Sequence, residues 1–269
     1  MINLARERQE ERYDEVPFLT IRRAYIDVLR AGQRKHMIHG LVELDVTCAR
    51  TRIERHDVET GEHLSFTAFI AHCVAAAVDE HRIVQAYRSR GRLIMFHDVD
   101  VNLQVEAALD DQPVVKSIIV REANRKSVAE ITDEIRRAER EGSDERRYRG
   151  IAAFVRVPGP LRTLAWRAIM RRPVLVKRFG GTVGLSSVGM FGAAGGWGIP
   201  IAPPTLMVTV GGIAKKPRFV DGELCERELL GVTLSFDHDV VDGAPATRFS
   251  RRLAELVESA YGLAPGTPV

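Results

Sequence analysis

The 269-residue chain has no acidic side chain between Glu145 and Asp221, a run of 75 residues that carries 13 bases. The rest of the chain holds 26 bases against 36 acids, so the formal net charge of +3 conceals a +13 block inside a −10 remainder. Nucleic acid is not the expected partner of that block. Few aromatics interleave its bases, and apolar strand-like runs interrupt them. Cysteine is scarce: Cys48, Cys73 and Cys225 are widely spaced and odd in number, which excludes a disulfide framework and a close-paired zinc clip. A reducing cytoplasm is the expected location. No run of about 18 uncharged apolar residues is present, so no membrane-spanning helix is expected. Met1 to Asp14 is charged and lacks the apolar core of a secretory signal. Neither G-x-x-x-x-G-K-S/T nor G-x-G-x-x-G occurs, and the histidines outside the C-terminal motif show no metal-ligand spacing, so no metal is expected.

What remains is an ordinary globular composition, 45% hydrophobic and 28% charged. Ile21, Ala24, Tyr25, Val28 and Leu29 follow helical spacing over Thr20–Arg34. A second, alanine-rich helix runs from Phe66 to Val78, capped by Ser65 or Thr67. Ser127 and Glu130 form a capping box that opens a helix to about Glu141. A last helix covers Pro245–Tyr261. Strands are expected at Leu41–Val46, Arg92–Met95, Val99–Val105, Pro113–Val120, Thr182–Leu185, Leu206–Val210 and Leu229–Phe236. Strands and helices mix without strict alternation, which points to a mixed-sheet α/β or α+β fold.

The chemistry lies in Asp237-His-Asp-Val-Val-Asp-Gly243. His238 leaves a buried strand, where the backbone is fixed and an imidazole can serve as a base near neutral pH. Asp242, four residues on, can fold back as an anchor for the loop, and Gly243 permits positive φ or close backbone approach. The competing reading is a surface turn whose Asp and Gly serve only the turn.

Leu234-Ser-Phe-Asp-His-Asp-Val-Val-Asp-Gly-Ala244 closely resembles the active-site signature of the dihydrolipoyl acyltransferases of 2-oxo acid dehydrogenase complexes, relatives of chloramphenicol acetyltransferase. Gly180-Gly-Thr-Val-Gly-Leu-Ser-Ser-Val-Gly-Met-Phe-Gly192 resembles that family's serine-bearing strand and turn. Pro203-Pro204 through Gly211-Gly212, Val120-Arg-Glu-Ala123 with Lys126-Ser127, and Thr20-Ile-Arg-Arg-Ala24 match in order, from about residue 17 to 262. The resemblance implies a chloramphenicol acetyltransferase-like mixed-sheet sandwich with flanking helices and an active site at a trimer interface. It implies a coenzyme-A-dependent acyltransferase acting on acyl-CoA and a dihydrolipoyl-type thiol. His238 would be the base, Ser186 the oxyanion donor and Asp242 a loop anchor paired with Arg22 or Arg23. Ser187 and Gly243 are weaker candidates for contact with coenzyme A. A non-catalytic scaffold that still binds acyl-CoA is the alternative.

Three departures shape the expectations. Asp239 stands where arginine usually follows the histidine. If it points inward, it favours imidazolium at His238. No lipoyl domain is legible, since the chain starts only about 20 residues before the catalytic region. A lipoyl-bearing protein acting in trans is expected, and the Pro/Gly-rich Gly262–Val269, without an apolar anchor, points to a homotrimer. Residues 151–178 read as a basic amphipathic insertion, with Leu161, Leu164, Ala165, Ala168 and Ile169 on one face of a helix over Leu161–Arg172. It either packs on the protein or a neighbouring subunit, or contacts a membrane surface. It is also a candidate wall for a longer acyl chain. The domain plan is an arm at 1–16, a catalytic domain at 17–262 and a tail at 263–269. The bases flank a neutral segment, Thr182–Val210, and are suited to steering the phosphates of coenzyme A.

Overall fold

Leu230, Val232, Leu234 and Phe236 alternate with Gly231, Thr233, Ser235 and Asp237, and the pleat sends the two sets to opposite faces. This alternation governs the architecture. The computed structural model describes residues 18, 20–109, 112–140, 150, 153–187 and 195–264. A six-stranded mixed sheet forms from β1 (Met37–Asp45), β4 (Val101–Leu109), β5 (Gln112–Val120), β6 (Val183–Ser187), β7 (Leu206–Val220) and β8 (Glu223–Asp237). Its order is β1-β8-β7-β6-β4-β5. Only β4–β6 and β6–β7 are parallel pairs. Two short strands, β2 (Tyr87–Ser89) and β3 (Arg92–Ile94), form a separate ribbon.

The apolar face buries Val101, Leu103, Val183, Leu185, Val208, Leu234 and Phe236 in one core. The helices α3 (Phe66–Glu80), α4 (Val128–Arg140) and α7 (Gly243–Glu258) contribute Phe69, Ile131 and Phe249 to the same core. The Phe249 ring meets Phe236 edge-on, with centroids 5.8 Å apart. Ser65 caps α3 by accepting a bond from the Ala68 N–H. The capping box closes as expected: Ser127 Oγ accepts from Glu130 N at 3.3 Å, and Glu130 Oε2 accepts from Ser127 N at 2.7 Å.

Several boundaries differ from expectation. α1 spans Thr20–Gly32. α2 (Thr47–Thr60) was not anticipated, because it buries only Ala49 and Ile53 and so carries almost no apolar period. β7 and β8 run 15 residues each, past the sheet, into a two-stranded ribbon that turns at Asp221-Gly222. Phe219 and Leu224 face each other there, 75% and 65% exposed, so burial-based reading had nothing to detect. Leu263, assigned to a free tail, instead lies in the core at 7% exposure. Residues 265–269, the arm at 1–16 and most of the glycine-rich turn (188–194) lie outside the described residues.

The 151–178 region forms α5 (Gly159–Met170) and α6 (Pro173–Gly180). Within one copy α5 leaves Leu161 and Leu164 56% and 63% exposed, while Arg162 points inward. Its guanidinium donates Nε to Asp27 Oδ2 at 2.7 Å, and Nη1 to the carbonyls of Val155 and Val157 at 3.0 and 2.9 Å. A buried carboxylate on α1 selects the charged face, and the apolar stripe faces out. At the far end, Arg121 donates to the Lys177 and Arg178 carbonyls of α6 and to buried Asp100, fastening the segment to β4 and β5.

Candidate active site

β8 is buried to its last residue, Asp237, and His238 is the first side chain to emerge, 45% exposed. The strand thus delivers an imidazole on a rigid stem. Its backbone N–H donates to the His36 carbonyl at 2.8 Å, a last rung beyond the β1–β8 ladder. Asp237 and Asp239 engage other partners and hold the turn. Asp237 takes the N–H groups of Val240 and Val241 on its carbonyl, and its carboxylate forms a buried pair with Lys35 Nζ at 2.8 Å. Burial pulls the Lys35 ammonium below its usual pKa, against the opposing pull of Asp237. Asp239 accepts from His36 Nδ1 at 2.9 Å and pairs with Arg88 at 3.4 Å. The His36 hydrogen bond, more than any other influence, holds that carboxyl below the ordinary range. Asp239 therefore faces His36 and Arg88, and the inward position considered from sequence is not adopted.

Asp242 serves the loop less than expected. Its Oδ1 lies 3.7 Å from His238 Nδ1, beyond hydrogen-bond length, and it is 84% exposed. Neither Arg22 nor Arg23 pairs with it among the described residues. The anchors are Lys35, His36, Arg88 and Asp237, none of which was singled out beforehand. The β1–β8 register (Met37 opposite Asp237) is what brings positions 35 and 36 beside the loop, and no local motif announces that register. Gly243 opens α7 with an ordinary φ, and a Cβ there would meet nothing within 4 Å. Neither reason given for that glycine applies within one copy of the chain.

Ser186 lies elsewhere. On the sheet's second face, Gln104, Ser186, Thr209 and Thr233 stand side by side across β4, β6, β7 and β8. Ser187 projects to the opposite side and is exposed, as alternation requires. Thr209 and Thr233 are 3% and 0% exposed, and their hydroxyls have no partner among the described residues. The loop after residue 194 crosses the sheet next to this row: Gly196 bridges Gly212, and Trp197 Nε1 donates to the Val42 carbonyl at 3.2 Å. The crossing demands glycine at 211, where a Cβ would lie 2.0 Å from the Gly196 oxygen. His238 lies five residues beyond Thr233, and β8 is two strands from β6. By strand geometry, Ser186 and His238 of one chain are roughly 20 Å apart. The fold does not bring them together within a copy.

A mixed sheet with helices on its apolar face, a polar second face and a histidine loop at the end of β8 defines an acyltransferase-type α/β scaffold. The chain matches the 2-oxoacid dehydrogenases acyltransferase (catalytic domain) family over residues 10–147 and 164–264, and it belongs to that family. The unmatched stretch is narrower than the expected insertion, and the match resumes within α5. The lipoamide acyltransferase component of the branched-chain alpha-keto acid dehydrogenase complex of Bacillus subtilis is 26% identical over 91% of this chain and 52% of that protein. The chain spans about half the length of the curated relatives it matches. A probable dihydrolipoamide acetyltransferase from Listeria monocytogenes shares the fold, with a TM-score of 0.68 and 22% identity over 93% of this chain and 96% of that one. So does the Azotobacter vinelandii dihydrolipoamide acetyltransferase, with a TM-score of 0.67 and 20% identity over 92% of each chain. In that enzyme a serine, a histidine and an asparagine four residues after the histidine were examined for catalytic roles.

Proposed function

We propose that the chain is a coenzyme-A-dependent acyltransferase that moves an acyl group between a thioester and a thiol, with sites shared between copies of a homotrimer. The observation that carries this reading is the rigidly mounted, solvent-reaching imidazole of His238 at the end of β8. His238 Nε2 takes the proton of the incoming thiol, coenzyme A or a dihydrolipoyl group. A thiol with a pKa near 8.5 asks only modest help of a neutral imidazole. The thiolate attacks the thioester carbonyl, and a negative tetrahedral oxygen forms. Ser186 of a neighbouring copy donates its hydroxyl to that oxygen. The C–S bond of the departing thiol breaks, and His238 returns the proton to the leaving sulfur. The serine–histidine pair of the Azotobacter vinelandii enzyme, with its third residue four beyond the histidine as Asp242 is here, supports these roles. The roughly 20 Å separation within one copy supports a shared site. Ser187 and Gly243, at the open ends of β6 and α7, are the candidate contacts for coenzyme A. A lipoyl-bearing protein acting in trans is the acceptor this reading favours. The exposed Leu161 and Leu164 beside arginines keep a membrane-surface contact as a second use of 151–178, read by liposome sedimentation.

The test is acyl exchange between acyl-CoA and a panel of thiols, with His238→Ala and Ser186→Ala variants. Each variant alone should be inactive. Co-expressed, they should recover about a quarter of wild-type activity, because a quarter of the interfaces then pair an intact histidine with an intact serine. No exchange by the wild-type trimer would favour the scaffold. Loss in both variants without recovery on mixing would place the two residues in one copy's site.

A further inference from the structure

Beside the histidine loop, α1 and α5 enclose a cleft of about 270 Å³ that the acyl-transfer reading does not use. The buried Asp27–Arg162 pair fixes the spacing of its two walls. Its floor holds the Lys35–Asp237 pair and Tyr87, and one rim carries Asp239 and Arg88. All three acids of the lining are already neutralised: Asp27 by Arg162 and Arg30, Asp237 by Lys35, and Asp239 by His36 and Arg88. Two cations of the lining are not. Arg34 on the α1 side and Arg167 on α5 are exposed and have no carboxylate partner among the described residues. The lining also offers apolar surface from Trp166, Met170, Ala31 and Val240. Two unpaired guanidiniums in one lining suit an oxyanion, which each can grip with two N–H groups. The indole and thioether suit a carbon body, and the volume limits its size.

We propose that this cleft binds a small organic anion, a carboxylate or phosphate carrying an apolar body of several carbons. The proposal does not depend on the acyl-transfer reading, since its readout is binding. Isothermal calorimetry on the intact protein, with octanoate, phenyl phosphate, inorganic phosphate and octanol as probes, tests it. Octanoate or phenyl phosphate should bind saturably, at least about tenfold more tightly than inorganic phosphate or octanol, because only they satisfy both halves of the lining. The octanoate and phenyl phosphate arms separate a carboxylate from a phosphate head group. The Arg34→Gln/Arg167→Gln variant, changed only at exposed positions, should keep the wild-type melting temperature and weaken binding by about tenfold or more. The quench of Trp166 fluorescence on binding should vanish in Trp166→Phe, where Trp197 remains. The proposal is overturned if no probe binds, if octanol binds as tightly as octanoate, or if the double-arginine variant binds like wild type.

Discussion

Replacing Arg162 with Met should be among the most damaging single changes outside the sheet. The side chain gives one charge-assisted bond to Asp27 at 2.7 Å and two bonds to the Val155 and Val157 carbonyls. Asp27's side chain is only 3% exposed, so Arg162→Met leaves a carboxylate in a dry site. Removing one member of a buried pair costs about 3–5 kcal/mol in comparable cases. Arg30, 3.7 Å from Asp27 but 63% exposed, remains as a weak second partner and moves the expectation toward the lower end of that range. A loss of about 3 kcal/mol lowers the melting temperature of a domain this size by roughly 6–12 °C. The charge argument makes a sharper claim than the size of the loss. In Asp27→Asn/Arg162→Met the buried charge is gone, so the double variant should regain about 1–2 kcal/mol relative to the sum of the singles. Arg167→Met, on the same helix but exposed, should stay within about 0.5 kcal/mol of wild type. Urea denaturation followed by circular dichroism measures wild type, the two single variants of the pair, their double and Arg167→Met. A cost below about 1 kcal/mol for Arg162→Met, or strict additivity in the double variant, would refute the claim that this ion pair fastens α5 to α1.

Lys35→Met strands the Asp237 carboxylate next to the histidine loop. It should cost about 3–5 kcal/mol in urea titrations and lower kcat more than it raises KM. Gly211→Ala should destabilise by at least about 1–3 kcal/mol, since its Cβ would strike the Gly196 backbone, and a melting temperature equal to wild type would contradict the crossing. His72 stacks on Tyr261 and donates Nδ1–H to the Lys126 carbonyl, and burial lowers its pKa. The unfolded chain therefore takes up that proton first as pH falls below about 6.5, so stability is full above that value and declines below it toward the lowered folded-state pKa. His72→Gln should flatten that part of the decline, seen as a smaller melting-temperature difference between pH 7.5 and 5.5 than in wild type.

Elements with a strong local period were legible in the sequence. The Ser127–Glu130 box, the apolar α3 and the alternation in β8 each follow from neighbouring residues alone. Less legible was whatever depended on a partner distant in the chain. α5 is the clearest case: its apolar period left open what its leucine face meets, and a single buried carboxylate on α1, 135 residues away, turned Arg162 inward. Leaving that carboxylate unpaired would cost about 3–5 kcal/mol, comparable with the about 1.5–3 kcal/mol each that the two leucines would contribute if a closed apolar surface received them. The same holds for the loop anchors. Asp242 has the right spacing to serve His238, but the β1–β8 register supplies Lys35 and His36, and these hold the loop through Asp237 and Asp239.

The two halves of the candidate site were legible for different reasons, and the difference explains why they lie apart. His238 is marked by local chemistry, a histidine at the end of a strand with acids around it. Ser186 was recognised only through its segment, because a strand serine is unremarkable. The sheet gives it context. It belongs to a row with Thr209 and Thr233, whose buried hydroxyls lack partners, and each such group costs about 1–3 kcal/mol relative to a satisfied one. An apolar residue at either position would remove that cost, and the neighbouring residues Leu185, Val208 and Leu234 on the opposite face are apolar. Strand length then sets the separation: β8 continues well past the level of Ser186 before it releases the histidine. A shorter β8 would bring His238 level with the row, but at the edge of one sheet and without a second wall. At its present length the histidine stands clear of its own polar row.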